Sequence, residues 1–294
     1  GQYWTSYGID GWRLDVPNEI KGDFWVEFRR LVKAINPDAY LVGEIWGDGR
    51  PWLRGDQFDA VMNYPWRELA LDCFLREKTD LLTFDRLLAR LRLRYHEQVN
   101  YCQLNLLGSH DTARLFTEAS RTLGQPGAAK GEAARRLVPL IVFQMTYVGV
   151  PMIFYGDEIG LEGEQDPDCR RCFPWEPGRR KQQLFLLYRQ LISLRHRYSA
   201  LRRGTFEVFL VEASRRLYGY RRRWRQEEVY VVLNAGPEPQ TVRLPLAAPG
   251  NAYDLLREEP LATIDGAATI TLAPYDASVV ATVPAAPPPT SGPR

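Results

Sequence analysis

Short apolar runs alternate with helix-length amphipathic segments from Gly8 to about Arg197, and this alternation restricts the fold more than any other feature. The candidate strands are Gly8–Leu14, Tyr40–Glu44, Phe58–Met62, Tyr101–Leu106 and Met152–Tyr155. Parallel strands need crossover connections, which are usually helices, so repeated strand–helix units favour a parallel sheet. The pattern predicts an α/β fold.

The segment between the first two candidate strands has the clearest helical period. Its apolar positions are Phe24, Trp25, Phe28, Leu31, Val32 and Ile35. We expect Asp23 to cap this helix and the helix to end before Pro37. Similar spacing predicts helices over Leu81–Leu91, Ala133–Tyr147 and Leu184–Leu194, with a kink at Pro139 unless that residue falls in the first turn.

After Tyr198 the sequence changes to short alternating segments separated by Gly and Pro. The candidate strands are Phe206–Val211, Leu217–Tyr220, Val229–Asn234, Val242–Leu246, Thr269–Leu272 and Ser278–Val283. This pattern of short alternating strands and turn residues is typical of an antiparallel all-β domain. We therefore predict an α/β domain over 1–198, a β-sandwich over 199–284 and a disordered Pro-rich tail over 285–294.

The charge balance argues against some partners. The 294 residues include 38 Lys and Arg and 36 Asp and Glu, so neither nucleic acid nor an anionic membrane is expected as a partner. The chain shows no run of 18 apolar residues and no signal peptide. An uncharged ligand and a cytoplasmic location are expected, with secretion left open because the sequence does not begin with Met.

The cysteines are sparse. Cys169 and Cys172 form a C-x-x-C pair without the second pair that zinc would need, so we expect loop thiols or a local disulfide. We predict no metal ligands.

Three acidic residues, Asp15, Glu44 and Asp111, lie where candidate strands end. Loops that follow parallel strands gather at one face of a barrel, so the three carboxylates are expected to share one pocket. Each alone could instead begin a solvated loop or cap a helix. An Arg two positions before Asp15 and a His directly before Asp111 favour the first interpretation.

Retaining cleavage of a glycosidic bond needs two carboxyl groups about 5–5.5 Å apart, one ionised and one protonated. Arg13 and Asp15 alternate onto the same face of a strand, where the guanidinium would keep the carboxylate ionised as a nucleophile. Glu44 has no cation beside it in sequence and precedes apolar residues, which favours a proton-bearing acid/base. His110 and Asp111 could bind sugar hydroxyls, although His110 could also be an ordinary loop histidine.

At these residues the sequence resembles the α-amylase family, family 13 of the glycoside hydrolases, and particularly its neopullulanase, cyclomaltodextrinase and maltogenic amylase branch. The segments Gly8–Ile20, Leu41–Trp46 and Leu107–Arg114 resemble three ordered motifs of that family. The resemblance covers nearly the whole chain. It implies Asp15 as nucleophile, Glu44 as acid/base, and Asp111 as transition-state stabiliser, with Arg13 and His110 beside the substrate.

Further segments resemble the same branch. These are Asp59–Trp66, Tyr155–Gly163 and Asp166–Cys172. The resemblance implies that Asp166 and Arg170 hold the glycone end, and that Trp46, Asn18 and Glu19 lie on the acceptor side. Trp46 could instead cover the barrel rim, and Asn18 and Glu19 could open the next helix. Pro17 stands where this branch often has Ala, which leaves the specificity open.

The resemblance also implies a (β/α)₈ TIM barrel missing its first three strands, because only five candidate strands and no counterpart of the family's first motif are present. Residues 1–4 resemble the helix that leads into strand four. Missing strands would leave open sheet edges, so we expect this chain alone to be inactive or unstable.

The favoured function is a retaining hydrolase of α-1,4-glucans, namely cyclodextrins, maltooligosaccharides and pullulan, with transglycosylation left open. The alternatives are an α-glucosidase or isomerase of the same family, and a non-catalytic barrel that binds a partner. The three carboxylates argue against the last. We expect no required cofactor, leave calcium open, and also leave open a homodimer formed through an N-terminal domain absent here.

Overall fold

The computed structural model describes residues 1–124, 130–176, 182–246, 252–264 and 266–282. Its helices in these ranges are α1 (Gln2–Ser6), α2 (Gly22–Ile35), α3 (Tyr64–Phe74), α4 (Leu81–Leu93), α5 (Glu97–Cys102), α6 (Leu115–Arg121), α7 (Lys130–Thr146), α8 (Gln182–Arg197) and α9 (Ser199–Arg203). Its strands are β1 (Gly11–Leu14), β2 (Tyr40–Gly43), β3 (Ala60–Val61), β4 (Leu104–Leu106), β5 (Val150–Met152), β6 (Thr205–Glu212), β7 (Leu217–Trp224), β8 (Glu227–Asn234), β9 (Gln240–Pro245), β10 (Ala252–Asp254), β11 (Glu259–Leu261), β12 (Thr263–Ile264), β13 (Ala267–Leu272) and β14 (Asp276–Ala281).

Parallel strands occupy the first of two compact units, which contains Gly1–Leu69, Arg86–Leu107 and Gly149–Met152. β1 pairs with β2, β2 with β3, and β4 with β5, all in parallel. A parallel bridge between Met62 and Leu104 connects the two groups of strands. The parallel pairing predicted from the strand–helix alternation is therefore confirmed.

The helix α2 packs on this sheet through one face. Trp25 and Val32 are buried, and the Trp25 ring meets Phe58 edge-on at 5.3 Å between centroids. Apolar side chains at helical spacing explain this burial. The helix ends at Ile35, two residues before Pro37.

The second unit contains the remaining described residues, including the antiparallel strands. One sheet has the order β11-β10-β14-β8-β7-β6, and another has the order β12-β13-β9. Buried side chains from both sheets share one core, for example Val232 of β8 and Ile270 of β13. Alternation of buried and exposed residues along β9 and β13 is the pattern expected of half-buried strands.

Several predicted boundaries were wrong. Tyr101 belongs to α5, so the following strand begins only at Leu104, and the last parallel strand ends at Met152 rather than Tyr155. Asp23 lies in the first turn of α2, whose N-cap is Lys21, so it is not the cap. Pro139 lies beyond the first turn of α7, so the exception to the predicted kink does not apply, and the kink stays a prediction.

The strands β10, β11 and β12 were not predicted from the sequence. They are two or three residues long, too short for a visible alternation. The predicted tail over 285–294 and the end of the last predicted strand at Val283 lie outside the described residues.

Cys73, Cys102, Cys169 and Cys172 are all free thiols. The alternative of a disulfide between Cys169 and Cys172 is therefore wrong, and the loop-thiol interpretation holds. In the part of the chain that is described, no helix is both long and apolar enough to cross a lipid bilayer.

Candidate active site

Asp15 and Glu44 directly follow two strands that pair with each other. β1 and β2 are parallel, and Leu14 is opposite Gly43 in their register. The backbone N–H of Glu44 donates to the carbonyl of Leu14 at 2.9 Å. Both acidic residues therefore leave the sheet at the same edge, as predicted for parallel strands.

Arg13 joins the two carboxylates. Its Nη1 contacts Oδ1 of Asp15, and its Nη2 lies 2.7 Å from Oε1 of Glu44. The Asp15 side chain is 73% exposed, whereas that of Glu44 is 7% exposed. One guanidinium thus orients an open carboxylate and a buried one. Glu44 has no cation beside it in the sequence, but the register of β1 with β2 brings Arg13 to it, so its surroundings are not purely apolar as expected.

The backbone around this pair has special conformations. Val16 has φ 40° and ψ 49°, a left-handed conformation that is unfavourable for a β-branched residue. Its N–H points to Oε2 of Glu44 at 3.4 Å. A Cβ at Gly43 would lie 2.6 Å from the Phe58 ring, so this position beside Glu44 requires glycine.

Trp46 lies two residues beyond Glu44 and stacks on Tyr64. The two ring planes differ by 8° and their centroids are 3.8 Å apart. Tyr64 is buried, whereas Trp46 is 53% exposed. An exposed aromatic ring that a second ring holds in place by stacking can bind the apolar face of a sugar ring.

Asn18 and Glu19 lie in the 3-10 turn Pro17–Glu19, not at the start of α2. The Asn18 side chain donates to Oε1 of Glu19 at 3.0 Å, and both residues are exposed. The Trp25 indole anchors the turn by donating to the carbonyl of Pro17 at 2.9 Å. The side chains of Asn18 and Glu19 are therefore open to solvent, three and four positions after Asp15.

A second group of predicted residues meets within the second unit. Nε2 of His110 lies 3.1 Å from Oδ2 of Asp111, and Nη2 of Arg170 lies 3.3 Å from Oδ1 of Asp111. Nε of Arg170 is 2.6 Å from Oδ1 of Asp166 and also donates to the carbonyl of His110 at 3.1 Å. Arg170 thus holds two carboxylates that the sequence placed more than fifty positions apart.

Cys169 also contacts the group formed by His110, Asp111 and Arg170. Its buried thiol donates to the carbonyl of His110 at 3.1 Å. This contact gives the free thiol a hydrogen-bond partner within the group. The contact could not be read from the C-x-x-C spacing, because it depends on the fold of the loop.

Sequence reasoning gave no role to Tyr64 or Arg114, although both lie in segments that it had singled out. Tyr64 follows Asn63 after β3, and Arg114 closes the segment that begins at Leu107. The sequence carries no signal for Arg114 beyond its position in that segment, because its complete burial, which is rare for an arginine, is seen only in the structure.

Among the described residues there is no cluster of three or more His, Cys, Asp or Glu side chains that could hold a metal ion. The candidate residues instead form arginine–carboxylate pairs, one set around Arg13 and the other around Arg170. Such pairs offer acceptors and donors for hydroxyl groups.

Two family profiles match the chain. "Alpha amylase, catalytic domain" matches residues 1–179, and "Maltogenic Amylase, C-terminal domain" matches residues 206–279. Neopullulanase 2 of Thermoactinomyces vulgaris is 44% identical over 281 residues, which are 95% of this chain and 46% of that protein. A cyclomaltodextrinase of a Bacillus species is 44% identical over 82% of this chain and 42% of its own length.

A solved cyclomaltodextrinase structure is similar with a TM-score of 0.86 and 38% identity, over 95% of this chain and 47% of that one. The chain thus spans less than half the length of these relatives. The catalytic-domain profile covers more than half of the chain and includes both groups of residues described above. The chain belongs to the α-amylase family, with a catalytic-domain segment followed by a maltogenic-amylase-type C-terminal domain.

Proposed function

We propose that this protein is a retaining α-glycoside hydrolase that cleaves α-1,4-linked glucans. The observation that carries the proposal is the Arg13 guanidinium, which contacts Asp15 and Glu44 at the ends of two paired parallel strands. Retaining cleavage requires two carboxyl groups that flank the scissile bond. Membership of the α-amylase family supports the same chemistry.

In the proposed reaction, Asp15 attacks the anomeric carbon while the bond from that carbon to the glycosidic oxygen breaks. Glu44 gives its proton to the departing oxygen, which leaves a glycosyl ester on Asp15. Glu44 then takes a proton from water, whose oxygen attacks the anomeric carbon and releases Asp15. Both carboxyl groups return to their starting states, so the cycle needs no cofactor.

The second group supplies binding in this proposal. His110 donates a hydrogen bond to one sugar hydroxyl and Asp111 accepts a hydrogen bond from another, and Asp111 also stabilises the distorted ring of the transition state. Asp166 and Arg170 hold the glycone end. Trp46, with Asn18 and Glu19, receives the acceptor side, where the stacked Trp46–Tyr64 surface offers an apolar face.

The substrate class follows from the relatives. Two of them are named as a neopullulanase and a cyclomaltodextrinase, so cyclodextrins, pullulan and maltooligosaccharides are the proposed substrates. We also propose that the five parallel strands β1–β5 are strands four to eight of a (β/α)₈ barrel. The parallel pairing and the order of the motifs along the chain support this assignment.

The test uses Glu44→Gln in the full-length protein with α-maltosyl fluoride. Fluoride departs without a proton, so the first step proceeds, but the second step lacks its base and a covalent maltosyl adduct on Asp15 accumulates. We expect maltooligosaccharide hydrolysis to fall by about 10²–10⁴-fold. Intact-protein and peptide mass spectrometry measure the adduct.

Added azide should rescue this variant and give the α-azide, because two inversions restore the configuration. Asp15→Asn should give no adduct. The matched control Glu27→Gln changes an exposed glutamate of α2 that pairs with Arg30, and it should keep normal turnover. Unchanged hydrolysis by Glu44→Gln, or an adduct that forms on another residue, would remove the proposed roles.

A further inference from the structure

Arg114 is a fully buried arginine four residues beyond His110. Its Nε donates to the carbonyl of Cys169 at 2.6 Å, and its Nη1 donates to the carbonyl of Tyr155. Its own backbone N–H donates to the carbonyl of Gly163 at 3.0 Å. One residue therefore joins three segments of the second unit.

The guanidinium is also packed and paired. Its carbon lies 4.0 Å from the centroid of the Phe154 ring and 4.4 Å from that of Tyr155. Nη1 lies 3.6 Å from Oδ1 of Asp157, which is itself buried. A planar cation with several fixed donors can meet all these groups together, whereas a lysine ammonium cannot.

These contacts hold the backbone on either side of the substrate-binding residues. Cys169, whose carbonyl accepts from Arg114, directly precedes Arg170, and its thiol donates to the carbonyl of His110. Arg170 in turn contacts Asp111 at 3.3 Å. A displacement of Cys169 would therefore move Arg170 relative to Asp111.

The segment that carries His110 and Asp111 begins at Gly108, which lies against Asp157. A Cβ at Gly108 would lie 2.5 Å from Oδ2 of Asp157, so the loop backbone and this carboxylate are in close contact. One end of the segment from Gly108 to Arg114 thus lies against Asp157, and the other end carries the arginine that pairs with Asp157. His110 and Asp111 lie between these two anchored points.

We infer that Arg114 is a positioning residue that sets Arg170 and Asp111 for sugar binding without contacting the sugar itself. The inference rests on the proposed function of that group. Its physical basis is that binding and catalytic groups must be held within a fraction of an ångström, and that a misplacement of about 1 Å can cost about 10²-fold in rate.

The experiment compares Arg114→Met, Arg114→Lys and Arg170→Met, and the double variant Arg114→Met/Arg170→Met, in the full-length protein with maltotriose. We expect kcat/KM to fall about 10²-fold in each Met single variant. The double variant should be no worse than about the poorer single, because both substitutions disrupt one unit. Arg114→Lys should recover only a small part of the loss.

Gly108→Ala provides an independent route that keeps the guanidinium. Its Cβ displaces Asp157, and we expect kcat/KM to fall about tenfold, with non-additivity in combination with Arg170→Met. If Arg114→Met does not fold, Gly108→Ala still tests whether the position of this segment affects sugar binding. The control Arg121→Met removes an exposed arginine that pairs with Glu118 and Glu164, and it should stay within about twofold of the wild type.

Thermal unfolding of every variant separates positioning from stability. The inference would be overturned if Arg114→Met and Gly108→Ala both kept the wild-type kcat/KM. It would also be overturned if the fold-loss of kcat/KM in each double variant equalled the product of the losses in its two single variants. Either result would leave the proposed function intact. A wild-type protein that cleaves no α-glucan would instead overturn the proposed function itself.

Discussion

At the scale of single residues, the arrangement around Arg13 joins two carboxylates with different surroundings. Asp15 is open to solvent and Glu44 is buried, yet the same guanidinium contacts both. A fork of N–H donors suits this geometry, because two nitrogens can each meet a different carboxylate. Arg13 is therefore the residue that ties the proposed nucleophile to the proposed acid/base.

Arg13→Lys should lower kcat on maltotriose by about 10²-fold or more, since an ammonium cannot reproduce two directed contacts. Stability should change by less than about 1 kcal/mol, because Arg13 is partly exposed. Steady-state kinetics and urea denaturation measure the two quantities. Arg30→Lys, on the exposed face of α2, is the matched control. A kcat within threefold of the wild type would show that the double contact has no catalytic role.

At the scale of elements, Asp59 connects α2 to the parallel sheet. Oδ1 lies 2.8 Å from Arg29 and Oδ2 lies 3.0 Å from Lys33, both on α2, and the N–H of Leu41 in β2 donates to Oδ2 at 2.9 Å. Burial alone would raise the pKa of Asp59, but the hydrogen bonds from Leu41, Arg29 and Lys33 outweigh it, and the pKa is lowered.

The sign of the resulting pH dependence follows from this direction. A carboxyl whose pKa is lower in the folded state contributes stability above its unfolded pKa of about 3.9, and this contribution is lost as the pH falls through the folded pKa. Asp59→Asn should lower the free energy of unfolding at pH 7 by about 1–3 kcal/mol. The difference from the wild type should shrink below about pH 4.

Urea denaturation at several pH values measures this difference. Asp38→Asn, in the exposed loop before β2, is the control and should have little effect at any pH. An equal destabilisation by Asp59→Asn at pH 7 and at pH 3 would contradict the electrostatic explanation.

At the scale of the second unit, Arg222 of β7 is fully buried. It donates to the carbonyl of Thr146 at the end of α7, and to those of Gly204 and Thr205 at 3.0 Å each. The guanidinium thereby fastens the antiparallel sheet to a helix that comes much earlier in the chain. Burial of Arg195 nearby, together with the charges of Arg222 and Arg202, lowers the pKa of Arg195 to about 10.

Arg222→Met should lower the free energy of unfolding by about 3–5 kcal/mol, because the buried carbonyls of Thr146 and Gly204 and the part-buried carbonyl of Thr205 lose their donor. Chemical denaturation followed by tryptophan fluorescence measures it. Arg223→Met, on the neighbouring half-exposed residue, should cost under about 1 kcal/mol. Equal effects of the two substitutions would show that the buried contacts do not fasten the sheet.

The sequence alone was enough to predict the kind of structure. The apolar periods predicted parallel strands followed by helices and then an antiparallel sheet, because residue spacing reflects which face of an element is buried. The same alternation placed Arg13 and Asp15 on one face of a strand, and the structure shows them in contact. These features are local, and a few neighbouring residues determine them.

Only the tertiary structure decided which distant residues meet. The contact between Arg13 and Glu44 depends on the register of β1 with β2, and the contacts that Arg114 makes with other loops depend on how those loops fold. The short strands β10 and β12 likewise form by pairing with the longer β14 and β13, and β11 forms by pairing with β10. Periodicity shows which side of an element is apolar, but register and loop conformation are fixed by packing across the whole unit.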